Sequence, residues 1–160
     1  MRLSLRLIVV GLCLQTAPQL WACTCVAFEF ARDVDKYAFI LRGEAVELSE
    51  HRVAGPFGRM IDVSFRVLRV WKGEVPPDVT IRTSAHEPAC GYPFVAGRQY
   101  VVFVQRDLSP VGGAHWLLKT SSCAPTKAAA EASELVSQLD AHFGKQLPLL
   151  PNVGSSAAEQ

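Results

Sequence analysis

The sequence predicts a mostly β chain in which five short strands close a small barrel, with a helix near each end. The clearest observation is alternation, since Ile61, Val63, Phe65 and Val67 fall on one face of a strand. Similar short apolar segments recur between turns. A third observation is that the apolar period becomes helical after Cys123. Five short strands separated by turns are typical of a closed barrel.

Residues 1–22 have the layout of a secretory signal peptide. Arg2 and Arg6 flank the start of a short apolar core, and Ala22 is a small residue at the expected cut. The apolar run is shorter than the about 20 residues that a membrane span needs. We therefore expect a secreted, extracellular or periplasmic chain that begins at Cys23. The alternative is a lipoprotein, because Leu-x-Ala-Cys also occurs where Cys23 would carry a lipid anchor.

Charge and length restrict the function classes. Removal of Arg2 and Arg6 from the 16 basic residues leaves 14 against 15 acidic residues, a net charge of −1. Such a balance argues against a nucleic-acid partner. No later segment is long and apolar enough to span a membrane. We expect one monomeric domain over 23–144 and a loose tail over 145–160.

The elements follow in order along this domain. Apolar side chains at helical spacing predict a short helix over about Glu29–Tyr37. The stretch 54–59 contains Gly-Pro and is expected to be a turn or loop. The apolar phase slips at Leu68, which indicates a bulge in a long, curved strand. The five predicted strands cover 40–50, 61–70, 79–83, 100–105 and 115–120.

An alanine-rich segment after Cys123 predicts the second helix. Leu135, Leu139 and Phe143 recur at four-residue steps, so one face of the helix should pack on the barrel. Thr126 is the expected N-cap and Gly144 the expected stop.

Four cysteines remain in the mature chain: Cys23, Cys25, Cys90 and Cys123. An even count in an exported protein favours disulfides. Cys23 and Cys25 are too close in sequence to pair comfortably, and in an extended segment their side chains share a face. Each is therefore expected to bond to one of the two distant cysteines. A four-cysteine zinc site is the alternative, although such sites usually come as two short knuckles.

Catalytic patterns do not stand out. The chain shows no Ser-His-Asp or paired-carboxylate arrangement, so we do not expect an enzyme. His51, His115 and His142 have no cysteine or carboxylate neighbour at metal-ligand spacing. Surface histidines, or histidines with satisfied hydrogen bonds, are the expectation for all three.

Taken together, these segments resemble the N-terminal inhibitory domain of the tissue inhibitors of metalloproteinases, within the netrin-like group of OB-fold barrels. The resemblance covers about residues 23–143. It is carried by the short stretches CTC at the expected signal cut, ILRGEAV, FRVLRVWKG, EPACGYPF, GRQYVVFV and KTSSC.

The resemblance implies a five-stranded Greek-key OB-fold barrel, the disulfides Cys23–Cys90 and Cys25–Cys123, and inhibition of a zinc metalloendopeptidase. The α-amine and carbonyl oxygen of Cys23 would chelate the protease's zinc, so the chain needs no cofactor of its own. The side chain of Thr24 would enter the specificity pocket. The implied protease-binding residues are Cys23, Thr24, Cys25, Val26, His86, Glu87, Pro88 and Ala89.

The chain also departs from the family pattern. The proline-rich stretch after the second cysteine is replaced by AFEFARD, and the third disulfide and the second domain have no counterpart here. The alternative function is therefore a netrin-like adhesion or scaffold domain, lipid-anchored or not, that has the fold without inhibition.

Overall fold

The computed structural model describes residues 23–52, 58–85, 90–108 and 116–144. They form a mostly β structure with two short α-helices. Both termini of the chain lie outside the described residues, including the predicted signal peptide and the predicted tail. The elements are α1 (Phe30–Asp33), β1 (Phe39–Arg52), β2 (Arg59–Lys72), β3 (Asp78–Ser84), β4 (Gln99–Leu108), β5 (Trp116–Lys119), β6 (Lys127–Ala128) and α2 (Ser133–Phe143).

The first five strands are the predicted ones, and they form a closed ring. The sheet order is β1-β2-β3-β5-β4, and β1 pairs again with β4 to complete the ring. The pairs are antiparallel except β3–β5, which meets in parallel at Arg82 and Lys119. The short strand β6 is additional and pairs with β4.

Bulges allow β1 and β2 to curve around the ring. The register between them shifts at Leu68 and Trp71 of β2 and at Val46 of β1. The predicted bulge near Leu68 is therefore confirmed. At Gly43, β1 pairs with β2 on one side and β4 on the other. A Cβ there would lie 3.1 Å from the carbonyl oxygen of Arg66, so the close approach favours glycine.

Two apolar clusters lie on the two faces of the strands. One fills the interior of the ring and contains alternate residues of β1, β2 and β4, such as Leu41, Phe65 and Val102. The other lies between the sheet and the helices and includes Ile40, Val101, Phe103, Tyr37, Trp71, Leu135 and Leu139. Both faces of β4 are thus covered, which explains why its sequence is apolar without alternation.

The first predicted helix is present in part. An α-helical turn over Phe30–Asp33 continues as a 3₁₀ turn over Val34–Lys36, and Tyr37 is already extended. Val34 and Tyr37 are buried in the outer cluster.

The predicted start of the second helix is wrong. Thr126 does not cap a helix, since Lys127–Ala128 pair with β4 and Ala129–Glu131 form a 3₁₀ turn before α2 begins. The buried Thr126 hydroxyl accepts a hydrogen bond from the Phe103 backbone N–H at 3.1 Å, so the segment follows β4. Helix α2 then ends at Phe143, and Gly144 has a φ of 82°, as expected for the stop.

Helix α2 packs on the sheet as predicted. Leu135 and Leu139 are buried, and Asp140 lies over β2. The Asp140 carboxylate forms an ion pair with Arg69 and accepts a hydrogen bond from the Trp71 indole N–H at 2.7 Å. The Arg69 guanidinium also lies 4.5 Å from the Trp71 ring centroid. These contacts set the position of the helix along β2.

Candidate functional site

The cysteines form two pairs at disulfide-bonding distance. Cys23 pairs with Cys90, with 5.4 Å between their Cα atoms, and Cys25 pairs with Cys123, with 5.1 Å between theirs. Both Cα separations lie in the usual range for disulfides. This is the pairing that the family resemblance implies.

The two disulfides lie against each other. The Sγ atom of Cys23 is 3.4 Å from that of Cys123 and 3.9 Å from that of Cys25. The second distance shows that the side chains of Cys23 and Cys25 share a face, as expected. The start of the described chain is therefore attached to two separate loops at a single place on the surface.

The residues next to these cysteines are presented to solvent. Thr24, Cys25, Val26 and Ala27 are all exposed, and Val26 is 85% exposed. Thr24 lies between the two cysteines that the disulfides attach to the protein. This exposed segment, attached by two disulfides, is the candidate functional site.

The loops that hold the cysteines are themselves tied to the sheet. The Ser122 backbone N–H donates to the carbonyl oxygen of Cys90 at 2.9 Å. The Tyr92 backbone N–H donates to the Thr83 hydroxyl of β3 at 2.9 Å. Cys90 has a φ of 59°, a left-handed conformation that turns the chain sharply at the disulfide.

A second set of contacts fixes the far end of the exposed segment. The Asp33 carboxylate accepts a hydrogen bond from the Glu29 backbone N–H at 2.9 Å, and the Arg32 guanidinium donates to the Ala27 carbonyl oxygen at 3.2 Å. Phe28 packs edge-to-face on Phe103, with ring centroids 5.8 Å apart. The exposed residues are thus held at both ends.

Asp33 is the electrostatic centre of this attachment. Its side chain is buried and accepts hydrogen bonds from the Arg32 guanidinium at 2.8 Å and the Lys36 ammonium at 2.6 Å. The hydrogen bond from Arg32, followed by those from Lys36 and the Glu29 N–H, holds the pKa of the Asp33 carboxyl well below its usual range. The carboxyl is therefore ionised at neutral pH.

A groove runs beside the exposed segment. It has a volume of about 790 Å³ and lies between Val26–Phe30 and the first turn of α2. Its walls include Val26, Phe28 and Leu135, together with charged Lys127 and Glu134. This groove could not be predicted from the sequence, because its shape depends on where α2 begins after β6.

The structure describes half of the residues implied for protease binding. Cys23, Thr24, Cys25 and Val26 are contiguous and exposed or half-buried at one place. The other four, His86, Glu87, Pro88 and Ala89, lie outside the described residues. Among the described residues, the group with metal-ligating atoms close together consists of Cys23, Cys25 and Cys123, all engaged in disulfides.

The two histidines that the structure describes, His51 and His142, are not in the group of cysteines. His142 stacks edge-to-face on Phe30, and His115 is outside the described residues. The His51 Nδ1 atom lies 3.7 Å from a carboxylate oxygen of Asp62, which is itself bonded to Arg82. That contact joins β1 to β2, and the spacing of the two residues in the sequence does not reveal it.

No protein-family model matches the chain, and no curated protein matches it significantly. Within the part of the chain that the structure describes, no helix has the length and apolar character needed to cross a membrane.

Proposed function

We propose that this chain is a secreted inhibitor of zinc metalloendopeptidases, similar in fold and mechanism to the inhibitory domain of the tissue inhibitors of metalloproteinases. Signal cleavage after Ala22 would make Cys23 the N-terminal residue. The five-stranded ring is compatible with an OB-fold barrel of the netrin-like type.

One observation carries the proposal. The two disulfides hold Cys23 and Cys25 on the surface, so that a chain beginning at Cys23 presents its terminal backbone atoms in a fixed place. Thr24 and Val26 are exposed directly beside them. A segment ordered before binding loses little conformational entropy when it enters a cleft.

The proposed chemistry uses backbone atoms of Cys23. A catalytic zinc has three protein ligands and one position occupied by water. The α-amine nitrogen and the carbonyl oxygen of one residue can bind the same metal in a five-membered chelate ring. Their binding displaces the water that would attack a substrate. The zinc belongs to the protease, and the inhibitor supplies only ligands.

The side chains near Cys23 would set specificity. Thr24 is exposed beside the disulfides, and its side chain would enter the specificity pocket of the protease. Val26 would contact the neighbouring cleft wall, and His86–Ala89 would form the other half of the inserted ridge. The contacts of Arg32 and Asp33 would hold the far end of the segment during insertion.

The first test is the identity of the exported N-terminus, followed by inhibition assays. Mass analysis of the exported protein should find a free Cys23 amine. That protein should inhibit some members of a panel of zinc endopeptidases and leave serine peptidases unaffected. An acylated or extended N-terminus, or no inhibition across the panel, would contradict the proposal and favour the adhesion or scaffold function.

A further inference from the structure

We propose that the four cysteines form a tetrathiolate site for Zn²⁺ when both disulfides are reduced. This site is independent of protease inhibition and would exist even if the chain inhibited nothing. The Sγ atoms of Cys23, Cys25 and Cys123 all lie within 4.8 Å of one another. The fourth cysteine, Cys90, is bonded to Cys23, so its sulfur lies beside this group of three.

The spacing of the sulfur atoms suits a tetrahedral ion. Zn–S bonds of about 2.3 Å place the sulfurs of a tetrahedral site about 3.8 Å apart. The Sγ atom of Cys23 already lies 3.4 Å from Cys123 and 3.9 Å from Cys25. Reduction would lengthen the two bonded contacts, and the Cys90 thiol beside Cys23 would rotate towards the other two sulfurs to complete the tetrahedron.

The loops that carry the two distant cysteines stay together without the disulfides. The hydrogen bond from the Ser122 N–H to the Cys90 carbonyl oxygen joins them directly. The Thr120 backbone N–H donates to the Arg82 carbonyl oxygen of β3 at 2.9 Å, and Tyr92 is bonded to Thr83 of the same strand. The cluster is therefore positioned by the sheet rather than by its own bonds.

The terminal segment is anchored independently as well. Phe28 packs on Phe103, and the Asp33 carboxylate accepts a hydrogen bond from the Glu29 N–H. Cys25 is three residues before Phe28, so its thiol stays within about 10 Å of the anchor after reduction. The knuckle formed by Cys23 and Cys25 thus remains close to the other two cysteines.

The chemistry of the site selects a soft cation. Within the described residues, the metal-ligating group at this place consists of cysteines alone. Thiolate ligands favour Zn²⁺ over Mg²⁺ or Ca²⁺, which prefer oxygen. Cys25 is exposed and the other three are half-buried, so an ion can enter without opening the core.

The reaction has two balanced steps. A dithiol reductant gives two electrons and two protons to each disulfide, becomes a disulfide itself and leaves two cysteine thiols. Zn²⁺ then binds as the four thiols become thiolates and release up to four protons. A chain kept in a reducing compartment is in the state that binds zinc, and oxidation during export would release the ion.

The test uses the full chain with Cys13→Ser, so that only the four clustered cysteines remain. The protein is reduced, freed of reductant under anaerobic conditions and titrated with Zn²⁺ against a chromophoric chelator, and separately with Co²⁺. We expect one ion per reduced chain, the intense visible bands of tetrahedral cobalt with sulfur ligands, and no binding by the oxidised protein.

Variants identify the ligands. Cys25→Ser and Cys90→Ser should each weaken zinc binding by more than about a hundredfold, since even loss of a supporting partner costs about 10–100-fold. The matched control is Ser122→Ala, which keeps the backbone hydrogen bond beside Cys123 and should bind as the parent does.

Two further measurements keep the test decisive if a serine variant fails to fold. X-ray absorption of the zinc-bound parent should show sulfur ligands at about 2.3 Å, and a shell that includes nitrogen or oxygen would overturn the four-cysteine site. Zinc binding should also weaken strongly in denaturing urea. Equal affinity of folded and urea-unfolded chains, or no binding by the reduced protein, would overturn the proposal.

Discussion

Removal of the Cys25–Cys123 disulfide by the double substitution Cys25→Ser/Cys123→Ser should lower the free energy of unfolding by about 4 kcal/mol. In the chain-entropy model, a bridge closing the full 98-residue separation is worth about 4.7 kcal/mol. The Cys23–Cys90 bridge shortens the path, however. From Cys25 the chain runs two residues back to Cys23, crosses that bridge and continues 33 residues to Cys123. A closed loop of about 35 residues gives about 3.8 kcal/mol.

The same path applies to the other bridge, so Cys23→Ser/Cys90→Ser should cost the same amount despite its 67-residue separation. Urea unfolding followed by circular dichroism measures both. With an m-value of about 2 kcal/mol/M, each midpoint should fall by about 2 M. Ser122→Ala is the control and should change the free energy by less than about 0.5 kcal/mol. A cost below about 1 kcal/mol for either pair would refute the view that both disulfides constrain the unfolded chain.

Three predictions concern the terminal segment. Thr24→Gly should weaken inhibition by about 1–3 kcal/mol, measured as the inhibition constant, because the variant keeps the chelating backbone but leaves the specificity pocket of the protease empty. Unchanged affinity would count against a role of Thr24 in that pocket. Inhibition should weaken about tenfold per pH unit below about pH 7, because protonation of the Cys23 α-amine, with a reference pKa of about 7.7–8, competes with zinc. An inhibition constant that does not change with pH, on a protease active over that range, would contradict this prediction. The folded-state pKa of the Asp33 carboxyl is lowered, so its contribution to stability is full above about pH 5 and is lost as the pH falls below the unfolded value of about 3.9. The difference in urea midpoint between the parent and Asp33→Asn should therefore shrink between pH 7 and pH 3. Parallel pH curves for the two proteins would exclude the effect.

Much of the ring could be predicted from local sequence patterns. Alternation along β2 and the phase slip near Leu68 both have a direct physical cause in the two-residue period of a strand. The pairing of the cysteines could not be predicted in this way. Their number and spacing left several arrangements open, and only the family resemblance implied the one that the structure shows.

The errors arise where tertiary contacts override local preference. The segment after Thr126 is rich in alanine and favours a helix, yet the buried hydroxyl of Thr126 bonds to β4 and keeps the chain extended for two more residues. The contact of His51 with Asp62 depends on the register between β1 and β2, which spacing alone does not reveal. The hydrogen bond that the Glu29 N–H donates to Asp33 could have been expected from the sequence, because Asp33 is an acidic residue in the first helical turn.

The most direct test of the proposed mechanism compares the exported protein beginning at Cys23 with the same protein carrying one additional alanine before it. An amide has no lone pair available for zinc, and the added residue would clash with the metal. The matched control carries the alanine after Gln160 instead. On a sensitive zinc endopeptidase, the native and control proteins should inhibit equally and the N-terminally extended protein should not, while all three unfold at the same temperature. Equal inhibition by all three proteins would contradict chelation by Cys23.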